Sequence, residues 1–471
     1  MGNWLPLEVL LDVAEYLKED RDSLVQCTRV CIRWKAVFER LLYRRIDVRS
    51  NDLDTSIGDL SLACFRVLTS AAGIMRRLFV RHLVYHIVLP YDLGVWSNHI
   101  PEYQAHGEAT PFRKANDDAF RVAITDLFAA LSSWGNAHFS LAFELVGCQD
   151  TFELGMEEIS FDRQEEEQTP LPYQAQLAPT ELSKLPAIRS VNKFLVSDDF
   201  FGSTGIWSGT AFEMAHCYPT LQSLEFHFAA HEDSNFLRER RKALAKGIKK
   251  LPPTLKKFHY TEVYNLFKEQ EQNAVDLLLG ESDLLVPTLR QFAQQLRVLK
   301  LTGISISSDF LWPLDLTGKP ASSTTEVSWP HLETIELRPL PYLPTGEYLF
   351  EVSPDFPITI KPEQFHRFCI AMGYAARHMP RLNNVEYCAQ FEDDYFNRFN
   401  FSHYVSKRTS VRKGILRWIS VWHSEECSAQ YVPDERVQDA WGWSQDTEVF
   451  NLSALNREIA WKLPCWPPES W

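Results

Sequence analysis

The sequence predicts an α/β chain, α+β overall: a short all-helical module at the N-terminus, then an irregular array of βα units. Residues 5–45 place apolar side chains at helical spacing on short segments separated by polar turns. From residue 188 onward, helical stretches alternate repeatedly with short apolar runs of strand character. The composition, 45% hydrophobic and 23% charged over 471 residues, is that of a globular protein with material for a large core.

In the N-terminal stretch, Pro6 is suited to open a helix, since its ring presets φ and its missing N–H would be unpaired in a first turn. At about 100° per residue, Leu7, Leu10, Leu11, Ala14 and Leu17 share one face, and Val9, Val13 and Tyr16 form a second apolar stripe. Together they span roughly 220°, against an arc a little over 100° for an ordinary amphipathic helix. One neighbour would therefore leave apolar residues wet. Asp22 is a candidate N-cap for a second helix carrying Leu24, Cys27, Cys31, Trp34 and Phe38 at spacings of three and four. A module this small is marginal alone. Periodicity allows either a module completed by a partner or a helical cap on the rest of the chain.

The residues themselves go further. Leu5-Pro6-x-Glu8-Val9-Leu10, Leu17, Leu24, Cys27, Val30-Cys31 and Trp34 resemble the F-box motif over about the first 45 residues. The resemblance implies a three-helix motif that binds the small adaptor of Skp–cullin–F-box ubiquitin ligases, with the remaining chain selecting a protein substrate. Carried over by position, Leu5, Pro6, Val9 and Leu10 would meet the adaptor, and Val30 and Trp34 would support and extend the contact. Val13-Ala14 stand where the family often has Ile or Leu, and Asp20-Arg21-Asp22 replace a more apolar loop.

Residues 51–80 read as a helical linker, 82–90 as a strand ended by Pro90, 115–134 as a helix and 139–146 as an alternating strand. The polar stretch 157–172, with Glu165-Glu166-Glu167, reads as a solvated loop. Apolar runs then begin at Ile188, Leu221, Leu255, Leu296, Leu332 and Leu382, at intervals of 33, 34, 41, 36 and 50 residues. Pro219, Pro253, Pro330 and Pro380 each precede their Leu by two. A strand preceded by a helix and repeated resembles leucine-rich repeats, although those run about 20–29 residues and are more regular. The expectation is an F-box helical domain at 1–50, a linker at 51–80, and an irregular leucine-rich-repeat-like α/β domain at 81–471. A compact α/β domain with Leu-x-x-Leu in its strands is the alternative. The combination also resembles a group of fungal F-box proteins. A helix at 365–379, an aromatic stretch at 391–404 and a strand around 417–422 precede tryptophans at 441, 443, 461 and 471, which read as a cap on the array.

Net charge is −14, with +1 on residues 1–50 and therefore −15 on 51–471; an acidic body argues against nucleic acid. The nine cysteines are scattered without a CxxC pair, and Cys27 and Cys31 read as buried small apolar residues rather than metal ligands. The N-terminus does not read as a signal peptide, and no apolar run approaches the ~20 residues needed to span a bilayer. The expected compartment is cytoplasm, nucleus or both. No phosphate loop, dinucleotide fingerprint, HExxH or GxSxG motif is present, so no cofactor or catalytic residue is expected. The basic run from Arg238 to Lys250 reads as a solvated helix face. The leading reading is a non-catalytic substrate receptor that docks a Skp-type adaptor and an unknown protein substrate, without nucleic acid or membrane. An F-box interaction scaffold that directs no ubiquitination is the alternative. An enzyme in an α/β domain is a third class; it needs a polar pocket that the sequence does not show.

Overall fold

The computed structural model describes residues 5–51, 60–93, 111–135, 137–148, 150–151, 173–198, 204–230, 233–263, 275–321, 327–353, 356–392, 395–405, 412–421, 434–442, 447–451 and 456–463. The predicted loop at 157–172, Trp443 and Trp471 lie outside them. The chain divides into two compact units, Met1–Glu225 and Phe226–Trp471.

The first unit opens with three helices, α1 (Leu7–Tyr16), α2 (Arg21–Thr28) and α3 (Ile32–Leu42). A parallel sheet follows, in the order Leu60–Ser61, Arg45–Arg49, His82–Leu89, Phe139–Gly147, Val191–Ser197. Two buried rows cross it: Ile46, Leu83, Leu141 and Phe194, then Val48, Tyr85, Phe143 and Val196. The Pro111–Leu131 helix covers it with Phe120, Ile124, Leu127 and Phe128, all buried, and accepts the Tyr85 hydroxyl at the Ala123 carbonyl, 3.0 Å. Parallel neighbours need a crossover of this kind, which is why strand and helix alternate. Residues 51–80, expected as a helical linker, include the edge strand Leu60–Ser61 before the Leu62–Leu68 helix and the 3₁₀ segment Ala71–Leu78.

The second unit repeats the arrangement. Lys257–Val263, Val298–Thr302, Thr334–Arg338 and Asn384–Glu392 are parallel, with buried rows Phe258–Leu299–Ile335–Val385 and Tyr260–Leu301–Leu337–Tyr387. On the other face Lys300–Glu336 (2.7 Å) and Arg338–Glu386 (3.1 Å) pair between neighbouring strands. Tyr395–Val405, Arg412–Val421, Asn456–Leu463 and Thr447–Asn451 continue antiparallel. The expected α/β class is therefore present: an N-terminal helical segment, then mostly parallel strands with helices.

The recurring leucine has a role the sequence reading misplaced. Leu221, Leu255, Leu296, Leu332 and Leu382 are buried, and each strand begins two residues later. Each leucine closes a turn by donating its amide to the carbonyl three residues back: Tyr218, Pro252, Ala293, Trp329 and Met379. Pro219, Pro253, Pro330 and Pro380 occupy the second position of these turns, where a fixed φ near −65° fits.

The basic run is also not a uniformly solvated face. The Ser234–Ile248 helix buries Arg240 completely and Arg241 almost so. Arg240 lies over the Phe228 and Phe236 rings and donates to the Ala229 carbonyl at 2.7 Å. Arg241 forks onto Asp283 and donates to the Ser305 carbonyl at 2.6 Å. At the C-terminal end of this unit Trp441 is buried and donates its indole N–H to the Cys369 carbonyl, 3.0 Å.

Candidate functional site: the N-terminal helical module

Pro6 is the N-cap of α1, and its carbonyl accepts the Leu10 amide at 3.2 Å. The second helix starts two residues earlier than expected. Asp20, not Asp22, is its N-cap: the Ser23 amide and hydroxyl donate to the two carboxylate oxygens at 3.0 and 2.6 Å. The Ser23 hydroxyl and then its amide lower the Asp20 carboxyl below its ordinary value. The segment read as one helix from Leu24 to Phe38 is two. Helix α2 ends at Thr28, whose hydroxyl folds back on the Val25 carbonyl, and Cys31 is the N-cap of α3. Cys27 and Cys31 therefore do not share one helix face. Burial, then the Asp20 charge, raises the Cys27 thiol above its ordinary value. Among the described residues no group of three His, Cys, Asp or Glu could hold a metal ion, and no helix is long and apolar enough to cross a membrane.

The three helices enclose a core of Leu10, Ala14, Leu24, Val37 and Phe38, with Val13, Leu17, Cys27, Trp34, Leu41 and Leu42 half-buried around it. Trp34 stacks on Phe38, ring centroids 5.2 Å apart and 10° from parallel. On α1 the core direction runs through Leu10, Ala14, Val13 and Leu17, which takes only the middle of the wide apolar arc. Leu7 and Leu11 are left exposed on one flank, Val9 and Tyr16 on the other.

Of the six residues singled out in the sequence, Leu5, Pro6, Val9 and Val30 are exposed, Val30 at 61%. Leu10 is 1% exposed and belongs to the core; Trp34 is half-buried on Phe38. Leu10 and Trp34 hold the surface rather than form it. Sequence reasoning missed Leu7, Leu11, Tyr16 and Ile32 as surface residues, the last two 88% and 83% exposed. For Leu7, Leu11 and Tyr16 the width of the arc was the available signal, since the core takes only its middle. Seven large apolar residues, Leu5, Leu7, Val9, Leu11, Tyr16, Val30 and Ile32, thus stand exposed within 28 consecutive positions (5–32).

The module is tied to the rest of the first unit through α3. Arg76 pairs with Glu39 at 2.8 Å and lies over the Tyr43 ring, Arg40 lies over Phe79, and the Arg44 carbonyl accepts the Arg81 and His82 amides at 2.9 Å. These contacts fix its C-terminal end and leave the apolar flanks of α1 and the α2–α3 turn open.

Compared with known families, residues 3–49 match the model described as F-box-like. No curated protein and no solved structure gives a match to the chain.

Proposed function

We propose that the chain, an F-box protein by its F-box-like domain at residues 3–49, is the substrate-recognition subunit of a Skp–cullin–F-box ubiquitin ligase. The observation that supports this most directly is the set of apolar residues left exposed on the folded module. In this reading Leu5, Pro6, Val9 and Val30 meet a Skp-type adaptor, joined by Leu7, Leu11 and Ile32, while Leu10 and Trp34 set the helices at the right angle. Covering a large apolar side chain releases about 1.5–3 kcal/mol, and several together give an anchor cluster of the kind that dominates protein interfaces.

The body would be an irregular leucine-rich-repeat-like domain that holds a protein substrate, in the cytoplasm or nucleus. No side-chain chemistry is required. Tethering a substrate beside the transferred ubiquitin raises its effective concentration to the millimolar range for a short span, and orientation supplies the remainder. The test is the profile of ubiquitin conjugates in cells with and without the chain. A protein whose conjugates disappear with the chain, and return with the intact chain but not with Leu5→Ala/Pro6→Ala, supports the reading. An unchanged profile would leave an F-box scaffold that directs no ubiquitination.

A further inference from the structure

An open cleft of ≈720 Å³ lies in the second unit, at the edge from which the parallel strands start. Its walls come from the end of the Ser234–Ile248 helix, the Leu285–Ala293 helix, and the turns that end at Leu296 and Leu332. Lys249, Lys256 and His331 line it together with Gln291, Gln294 and Gln295, the last of which donates its carboxamide N–H to the Pro252 carbonyl at 3.5 Å. Among the described residues that line it, none is acidic. Neither lysine forms an ion pair with another described residue.

This is unusual for its surroundings. The chain carries −14 overall, and on the neighbouring sheet face cations are matched to carboxylates, as in Lys300–Glu336 and Arg338–Glu386. Lys249 follows a helix C-terminus, where a cation is favourable in its own right. That accounts for Lys249; Lys256 and His331 stand on the segments leading into two strands and belong to no helix themselves. The turns that carry Gln294, Gln295 and His331 are held by the Leu296 and Leu332 amides, so their main chain is fixed before any ligand arrives.

We infer that this cleft is a binding site for an acidic peptide segment of a partner protein. Two lysines that form no ion pair among the described residues attract carboxylates, and carboxamides can donate to carboxylate oxygens and to peptide carbonyls alike. The cleft is open, whereas small-molecule sites enclose most of the ligand, so an extended segment fits better than a compact solute. Buried Phe292 and Ile248 form apolar floor against which an aliphatic side chain of the segment would rest. The inference goes beyond adaptor docking and does not depend on it, because the site needs only the second unit's own residues.

The test is fluorescence anisotropy on the full chain with a fluorescein-labelled Glu/Leu peptide, beside its Gln/Leu counterpart. The expected result is saturable binding of the Glu/Leu peptide that weakens with added salt, and little binding of the Gln/Leu peptide. Lys249→Ala/Lys256→Ala should weaken it about tenfold, the equivalent of two solvent-exposed ion pairs. Lys242→Ala/Lys246→Ala, two cations of the same helix outside the cleft, should leave it unchanged. Equal loss in both double variants, equal binding of the two peptides, or no saturable binding overturns the inference. Adaptor binding measured on the same preparations separates this outcome from any failure of the docking reading.

Discussion

Two buried features of the second unit show what single residues contribute. Gly303 has φ +71°, and a Cβ built there would stand 2.0 Å from the Glu262 carbonyl oxygen. Gly303→Ala should destabilise the chain by at least about 2 kcal/mol, from left-handed backbone strain and a clash with main chain that cannot move aside; the denaturant midpoint measures it. Glu262 itself is nearly buried and accepts the Tyr260 hydroxyl at 2.7 Å. Burial raises its carboxyl pKa, outweighing the opposing pull of Arg240, the Tyr260 hydroxyl and Arg241. A raised folded pKa means that the native state holds the proton longer, so stability is greatest below the ordinary carboxyl pKa and falls as pH rises through the raised one. Glu262→Gln stays neutral throughout. Its stability relative to the parent should therefore climb as pH is raised from about 4.5, whereas a difference constant with pH would contradict this account. Neither feature was legible in the sequence. Glu262 and Arg240 lie 22 positions apart, and nothing local marks either as buried.

At the scale of elements, the helical module separates folding from docking. Phe38 is fully buried in its core, so Phe38→Ala should cost about 3–5 kcal/mol. Val9 is exposed, and Val9→Ala should leave stability within about 0.5 kcal/mol while weakening adaptor binding. Hydrogen exchange of the α1–α3 amides, set beside adaptor affinity, distinguishes the two variants. The existence and core of this module were legible because Leu10, Ala14, Leu24 and Phe38 recur at helical spacing. Its breaks were not. The Cys27–Cys31–Trp34 spacing continues through the turn at Arg29–Val30 as though the helix did, and the cap fell on Asp20 because Ser23, three residues on, supplies both donors. The repeated leucine shows a related limit. In a strand, positions i and i+3 point to opposite faces; Leu296 escapes that rule because it closes the turn from Ala293 and lies outside the strand, which starts at Val298. The prolines two residues before four of these leucines already marked the turns, and that signal outranked the apolar one.

For the whole molecule, the α/β class followed from alternating helical and strand-like stretches, and the parallel pairing of the strands follows from the helices between them. The antiparallel strands at the C-terminal end were harder to see. Tyr395–Val405 was read as an aromatic stretch, though Phe399 and Phe401 alternate with Asn400 and Ser402 as a strand requires. Function was legible only where a motif exists, in the first tenth of the chain, and the match over residues 3–49 falls on that same stretch. The body carries no comparable signature, because a partner surface is set by outward residues whose complement is not written in the chain. The central claim, that the N-terminal module docks a Skp-type adaptor, is tested most directly by a pull-down of the full chain with purified adaptor, beside Leu5→Ala/Pro6→Ala. The account predicts retention by the parent chain and loss in the double variant, with the helical module still folded. Retention undiminished in the variant, or no retention by either, would contradict it.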